Sequence, residues 1–122
     1  KNYVVYLGTL SYNDLAYFYR NLDLLVLPSI NSTDAFGMVQ IEAMLSGTPV
    51  IVSNLPGIRV PVKKTGMGKI ISVGNQNAIC KKIIELIKTR KKYVQPRSKI
   101  KQFFDIKKTV NAYEKILNDQ SN

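Results

Sequence analysis

Two carboxylates bracket a short apolar segment in the stretch STDAFGMVQIEAMLSGTPVIVS, which spans residues 32–53. Asp34 and Glu42 stand eight positions apart, with Gly37 between them. On one continuous helix their side chains would be about 12 Å apart along the axis and turned by about 80°, so they would not act together. If the helix begins near Gly37, Asp34 lies in the preceding loop and Glu42 rises from the second turn. The two acids then flank the N-terminus of the helix.

A helix N-terminus at this point predicts an anion-binding site. Its unpaired N–H groups and the positive end of its dipole attract negative charge, and the dipole alone contributes about 0.3–2 kcal/mol per charge. A nucleotide-sugar fits the arrangement, with its diphosphate at the amides of Phe36, Gly37 and Met38. The hexose hydroxyls would then meet Asp34 and the ribose hydroxyls would meet Glu42, because carboxylates accept strong, charge-assisted hydrogen bonds.

The same residues also have simpler interpretations. Thr33 or Asp34 would serve equally well as an ordinary helix cap. Glu42 would serve equally well as a solvated residue on the outer side of the helix. The spacing of two acids therefore does not by itself distinguish a binding site from a capped helix.

Strand-like and helix-like segments alternate along the rest of the chain. Apolar segments predict four strands, near 3–8, 23–28, 49–53 and 69–73. Periodic segments predict four helices: one capped by Ser11, one from about Gly37 to Ser46, one near 76–92 and one near 105–118. This alternation predicts an α/β fold, a Rossmann-like parallel sheet with flanking helices and right-handed crossovers.

Two further expectations follow from these elements. In the helix near 76–92, the periodicity predicts four inward residues: Ile79, Ile83, Leu86 and Ile87. Residues 54–68 are rich in glycine and proline and are predicted to be a loop at the carboxyl ends of the strands, where such sheets bind ligands. Near this loop, an alternative role for three basic residues is to assist a diphosphate: Lys63, Lys64 and Lys69.

Composition narrows the classes of function. The 122 residues, 45% hydrophobic, suit one globular domain, and no apolar run approaches the roughly 20 residues that cross a bilayer. The absence of histidine excludes a Ser-His-Asp triad and the commonest metal ligand from this chain. Cys80 is the only cysteine, so no internal disulfide forms and a cytoplasmic location is expected. No cofactor and no metal ion are expected.

Positive charge is concentrated in the second half of the chain. Residues 1–58 carry a net charge of −2, whereas residues 59–122 carry +12. Between Lys81 and Lys101 there are nine basic residues and one acid. Three interpretations are open: a solvated face, a surface that binds the anionic inner face of the membrane, or a nucleic-acid site. The last is the least favoured, because no nucleic-acid-binding motif is present.

The stretch VVYLGTLSYNDLAYFYRNLDLLVLPSINSTDAFGMVQIEAMLSGTPVIVSNLPGIR resembles the donor-binding domain of retaining GT-B glycosyltransferases of family 4, the glycosyl transferases group 1. That family shows a Glu-x-Phe-Gly-x4-Glu-Ala-Met-x-x-Gly-x-Pro-Val motif after a strand that ends in Pro-Ser. The matching residues here are Leu7-Gly8, Asp23, Pro28-Ser29, Asp34, Phe36-Gly37, Glu42-Ala43-Met44, Gly47 and Pro49-Val50.

The resemblance implies transfer of a sugar from a nucleotide-diphosphate sugar to a glycan or lipid-linked acceptor, without a protein nucleophile or a metal. It implies that Asp34 and Gly37 are catalytic. The implied substrate-binding residues are Ser29, Asp34, Phe36, Gly37, Met38, Val39 and Glu42. Asp34 stands where the family usually has Glu, which shortens the reach of the carboxylate by one methylene.

The resemblance begins at the third strand of the family domain, so it implies a partial C-terminal domain of a GT-B enzyme. The first two strands and the N-terminal acceptor domain would come from a missing N-terminal domain or a partner chain. The family's strand order would put those two strands between 3–8 and 23–28. The alternative function is a non-catalytic basic module that binds an anionic membrane, nucleic acid or a partner subunit.

Overall fold

A computed structural model describes residues 3–31 and 37–105, with five further residues: Lys107, Asn111, Glu114, Lys115 and Asn118. Three parallel strands form a sheet in the order β1-β2-β3, with β1 at Leu25–Leu27, β2 at Val50–Ser53 and β3 at Gly68–Ile71. The helices are α1 (Tyr12–Asn21), α2 (Met38–Leu45), α3 (Val60–Thr65), α4 (Gln76–Lys88) and α5 (Arg97–Phe103), with a 3-10 turn at Arg90–Lys92. The predicted α/β class with a parallel sheet and flanking helices is confirmed.

The central strand β2 is buried along its whole length. It pairs with β1 through Ile51 opposite Val26 and with β3 through Ile51 opposite Lys69. A continuous apolar strand is expected here, because a parallel strand with both faces covered meets no water on either side.

Helices cover the two faces of the sheet unequally. One face packs against α1, α2, α3 and α5, and its core contains Met44, Val50, Val52, Ile58 and Ile100. On the other face, α4 packs on β2 and β3 through Leu86, which contacts a cluster with Ile51 and Ile71. The molecule is therefore a three-layer arrangement with a single helix of the described chain on one side.

Side-chain caps fix where two of the helices begin. The Ser11 hydroxyl accepts a hydrogen bond from the Asp14 amide at 3.2 Å, which confirms the predicted start of α1. Asn75 caps α4 in the same way, accepting from the Ala78 amide at 3.0 Å. Helix α4 ends at Lys88, and the predicted continuation to 92 is a 3-10 turn.

The predicted strand at residues 3–8 is wrong. These residues have no strand pairing with β1, β2 or β3, and Tyr3 and Tyr6 are 88% and 94% exposed. The apolar pattern indicates a strand correctly only where a neighbouring strand is available to pair with its backbone groups. No such neighbour lies beside this segment in the described part of the chain.

One predicted connection contains a helix. Residues 54–68 are predicted to form a loop but include α3, in which Pro61 occupies the first turn and Gly66 ends the helix with a φ of 69°. A further short helix that the sequence does not predict is α5, which begins at Arg97. The predicted helix at 105–118 lies largely outside the described residues, and the five described positions after 105 have helical backbone.

Three of the four residues predicted to face inward on α4 do so, and one does not. Leu86 is fully buried, and Ile79 and Ile83 pack against the same cluster, as predicted. Ile87 is 49% exposed, so its predicted inward orientation is wrong. Helix α4 contacts β2 and β3, and the cluster at that contact includes Leu86, Ile79 and Ile83 but not Ile87.

The close approach of β2 and β3 at Gly68 yields a stability prediction. A Cβ atom on Gly68 would overlap the carbonyl oxygen of Val50, its partner in the sheet, whereas one on Gly47 would meet open space. Both glycines have positive φ, so both alanine variants carry backbone strain. Gly68→Ala is therefore expected to lose about 2 kcal/mol more unfolding free energy than Gly47→Ala in urea titrations. Equal losses in the two variants would show that the strands have room to move apart.

Candidate functional site

Gly37 determines where helix α2 begins. Its backbone is left-handed, with φ 65° and ψ 68°, and it forms the N-cap of the helix. A Cβ atom there would lie 2.7 Å from Leu27 Cδ2 and 3.4 Å from Ile58 Cδ1. Only glycine combines this conformation with this packing. The helix N-terminus is thereby held between the carboxyl end of β1 and the loop that follows β2.

A buried hydrogen bond fastens the first turn of α2 to that loop. The Nε2 atom of Gln40 donates to the carbonyl oxygen of Ile58 at 2.9 Å, and Gln40 is fully buried. Such a bond is costly to break, because it would leave a buried polar group without its partner. The start of α2 and the segment after β2 therefore form one rigid unit at the carboxyl edge of the sheet.

Among the described residues, no side chain caps the N-terminus of α2. Gly37 has no side chain to offer, and the first turn contains no acidic residue. Met38 and Val39 are 61% and 39% exposed. The amides of this turn and the positive end of the helix dipole can therefore attract an anion from solution.

Glu42 lies one turn further along α2 and is exposed. The hydroxyl of Tyr19, on α1, lies near its carboxylate. Tyr19 is only 6% exposed, and its carbonyl oxygen accepts a hydrogen bond from the buried Thr48 hydroxyl. Burial, followed by the interaction with the Glu42 carboxylate, raises the pKa of Tyr19 to about 12. The phenol therefore stays protonated near neutral pH.

A cavity of about 230 Å³ opens between α1 and α2 beside this pair. Its lining residues are Tyr12, Leu15, Ala16, Tyr19, Glu42 and Ser46. The α1 side is mainly apolar and aromatic, and Glu42 supplies a carboxylate on the α2 side. An apolar wall facing a polar group that accepts hydrogen bonds is typical of sites for small organic ligands.

The structure brings part of the predicted site together. Gly37, Met38, Val39 and Glu42 lie on the first two turns of α2, and Ser29 is half-buried just beyond the end of β1. The positions predicted for Asp34 and Phe36 lie outside the described residues.

The predicted cations are in the wrong place for this site. Lys63 and Lys64 occupy the last turn of α3, which leads into the start of β3 and therefore lies at the opposite edge of the sheet. Lys69 stacks over the ring of Tyr93, 5.1 Å from its centroid. The expectation failed because the loop assignment concealed α3, whose axis carries the chain back across the sheet.

Sequence reasoning missed two residues of the site. Arg59 caps the start of α3, directly after Ile58, and its guanidinium donates to Asn54 Oδ1 at 3.0 Å. Tyr19 meets Glu42 from a different helix. Nothing local could reveal either contact, although Pro61 and Gly66 at the two ends of α3 were usable signals for a helix.

Two searches of the described ranges gave no result. No group of three His, Cys, Asp or Glu side chains in the described part of the chain is placed to hold a metal ion. No helix formed by the described residues has the length and apolar content needed to cross a membrane.

Parallel strands with an open helix N-terminus at their carboxyl edge are the arrangement of α/β domains that bind phosphorylated ligands. Comparison with known proteins gives the family. The chain belongs to the glycosyl transferases group 1, whose family pattern it matches over residues 1–103.

Two kinds of relative are similar in sequence. An uncharacterized glycosyltransferase of Methanocaldococcus jannaschii is 34% identical over 86 residues, which is 70% of this chain and 24% of the relative. The D-inositol 3-phosphate glycosyltransferase of Mycobacterium tuberculosis is 36% identical over 69 residues, 57% of this chain and 14% of the relative. The chain thus spans a quarter or less of the length of these relatives.

The fold is similar to that of sucrose-phosphate synthase from Thermosynechococcus elongatus. The TM-score is 0.75 at 23% identity, and the match covers 94% of this chain and 30% of that enzyme. This likeness supports a GT-B fold for the domain.

The raised pKa of Tyr19 predicts a pH dependence of stability. The pKa of Tyr19 is raised from 10.0 to about 12 in the folded protein, so its contribution to stability is complete below pH 10 and is lost as pH rises to about 12. The unfolded chain releases this proton first, which favours unfolding across that interval. At pH 8, the unfolding free energy of Tyr19→Phe is expected to be about 1 kcal/mol below that of the wild type. Between pH 10 and about 11.5, the unfolding free energy is expected to fall less in Tyr19→Phe than in the wild type. Urea midpoints at the three pH values check this.

The comparison of the two proteins removes the effect of the lysines, which titrate in the same range in both. Tyr17→Phe is the matched control, because Tyr17 lies on the same helix and is 67% exposed. Parallel pH profiles for the wild type and Tyr19→Phe would contradict the assignment.

Proposed function

We propose that this domain is the donor-binding part of a retaining family 4 glycosyltransferase, which moves a sugar from a nucleotide-diphosphate sugar to a glycan or lipid-linked acceptor. The observation that carries the proposal is the open N-terminus of α2 at Gly37, with the Glu42 carboxylate one turn away. Membership of the glycosyl transferases group 1 supports it.

The diphosphate is assigned to the start of α2. The amides of Gly37, Met38 and Val39 belong to the part of a helix that lacks intrahelical acceptors, and Met38 and Val39 are exposed. Arg59 adds a positive charge next to this turn, since it follows Ile58, whose side chain contacts the space beside Gly37. Amides and a guanidinium together stabilise the charge that develops on a departing diphosphate.

The ribose is assigned to Glu42. A carboxylate has room for several hydrogen bonds. Glu42 lines the cavity between α1 and α2 together with Tyr19. The two neighbouring hydroxyls of a ribose in this cavity can donate to the acceptor sites of the carboxylate.

The transferred sugar is assigned to Asp34, on the strength of the family motif alone. In the proposed reaction the acceptor hydroxyl attacks the anomeric carbon on the face from which the diphosphate leaves. The bond from that carbon to the phosphate oxygen breaks, and the departing oxygen takes the proton of the acceptor. The protein contributes orientation and stabilisation of negative charge rather than a nucleophile.

The acceptor is assigned to a part of the enzyme outside these 122 residues. The match covers 24% and 14% of two relatives, so most of the length of those proteins lies outside the matched part. An N-terminal domain or a partner chain would hold the acceptor opposite the carboxyl edge of the sheet, where α2 begins.

The role of Glu42 is testable by nucleotide binding. Isothermal titration of the chain with UDP and GDP is expected to show that one of them binds and that Glu42→Ala weakens it roughly 10- to 100-fold, the range for losing charge-assisted hydrogen bonds. Glu85→Ala is the matched control, because it removes an exposed acid that pairs with Lys82 on a different helix. The loss should disappear with a 2′,3′-dideoxy nucleotide, which has no ribose hydroxyls to offer.

Two negative results have different meanings. If neither nucleotide binds the wild type, the assignment of this domain to donor binding fails. If a nucleotide binds but Glu42→Ala equals Glu85→Ala, the domain binds donors and only the ribose contact is misplaced.

A further inference from the structure

The outer face of α4 carries an apolar stripe that the core does not use. Ile84 and Ile87 are 56% and 49% exposed, and Cys80, one turn before Ile84, is exposed as well. These three residues lie along one side of the helix at spacings of four and three, while Leu86 faces the sheet. We call Cys80, Ile84 and Ile87 the α4 stripe.

Positive charge surrounds the α4 stripe. Lys81 and Lys88 are exposed and lie on the same side of the helix, and the 3-10 turn that follows adds Lys91 and Lys92. The acid of this helix, Glu85, forms an ion pair with Lys82 at 2.8 Å, so it does not offset the outward lysines. An aliphatic stripe is thereby bordered by several exposed cations.

We propose that the outer face of α4 docks on the surface of an anionic lipid bilayer. Aliphatic side chains at the level of the headgroups bury apolar area, and each lysine near an anionic surface adds attraction of about 1 kcal/mol. With 13 residues, α4 is too short to span a bilayer and suits a position parallel to its surface.

The chemistry of the stripe selects lipid over nucleic acid. Lysines would serve either partner, because both are anionic. Isoleucines gain nothing from a phosphate backbone and offer no ring on which a base can stack, whereas they partition readily into an interface. The exposed side chains of the α4 stripe are aliphatic or a thiol, not aromatic.

This docking would leave the candidate site accessible. Helix α4 packs on one face of the sheet, and α2 packs on the other. The N-terminus of α2 therefore stays separated from the bilayer by the sheet. The inference does not rest on the proposed transfer reaction, since its test contains no nucleotide and no sugar.

Co-sedimentation of the chain with vesicles tests the proposal. Vesicles of phosphatidylcholine with about 40% phosphatidylserine, which have a strongly anionic surface, are expected to bind the chain, and vesicles of pure phosphatidylcholine are not. Ile84→Ser with Ile87→Ser should weaken binding about tenfold or more, whereas Ile30→Ser, at another exposed isoleucine, should leave it unchanged. Circular dichroism verifies that each variant is folded.

A second pair of variants separates the α4 face from net charge. Lys81→Gln with Lys88→Gln should weaken binding roughly 10- to 30-fold, since it removes two charges at the bilayer surface. Lys63→Gln with Lys64→Gln removes the same charge from α3, on the opposite layer, and should have a much smaller effect. Equal losses in the two pairs would overturn the assignment to α4.

The natural cysteine supplies a direct probe of depth. Because Cys80 is the only cysteine, an environment-sensitive dye can be attached to it without other substitutions. The emission of the dye is expected to shift to the blue when anionic vesicles are added. It is expected to stay constant when RNA oligomers, which are also anionic, are added. Three results would overturn the proposal: no vesicle binding, tighter binding of RNA than of vesicles, or a dimer that Ile84→Ser with Ile87→Ser abolishes.

Discussion

The left-handed backbone of Gly37 holds helix α2 against Leu27 and Ile58, and the candidate site depends on that contact. A larger residue would meet Leu27 Cδ2 and Gln40 Nε2 at close range, and it would have to adopt a left-handed backbone that side chains rarely adopt. The glycine thus performs two tasks. It allows the close packing that fixes the helix, and it leaves the first amides of that helix uncovered.

The same helix connects the proposed anion-binding end to the carboxylate of Glu42. The separation of the two is set by one turn of α2, so it does not depend on loop conformation. Tyr19, on a second helix, lies near the carboxylate, and the Thr48 hydroxyl donates to the carbonyl oxygen of Tyr19. A rigid spacing between a diphosphate and a ribose is what a nucleotide site requires, because misplacement by about 1 Å can reduce a rate about 100-fold. The distance between the groups is therefore built into regular secondary structure rather than into a mobile segment.

The sequence predicted those parts of the fold that have a local cause. Continuous apolar runs gave β1, β2 and β3, and Ser11 correctly indicated the start of α1. The failures share a physical origin in contacts that no local pattern contains. Residues 3–8 have the composition of a strand but no strand partner in the described part of the chain, and Ile87 fits the helical periodicity but is not part of the cluster between α4 and the sheet.

The candidate site shows the same division between local and distant causes. The spacing of Gly37 and Glu42 predicted that both belong to one helix, and the structure has Gly37 at the N-cap of α2 and Glu42 within it. The proximity of Tyr19 to Glu42 and the hydrogen bond of Arg59 to Asn54 arise from the fold beyond that helix. The lysines at 63 and 64 were misplaced because α3 was not recognised, and one short helix was enough to move them to the opposite edge of the sheet.

The central claim is that the first amides of α2 bind the diphosphate of a nucleotide. Titration of the nitrogen-15-labelled chain with UDP or GDP, followed by two-dimensional proton–nitrogen NMR spectra, observes those amides directly. The account predicts saturable downfield shifts of the Gly37, Met38 and Val39 amides, while the amides of α4 keep their positions. Binding of a nucleotide that leaves these three amides unshifted would contradict it.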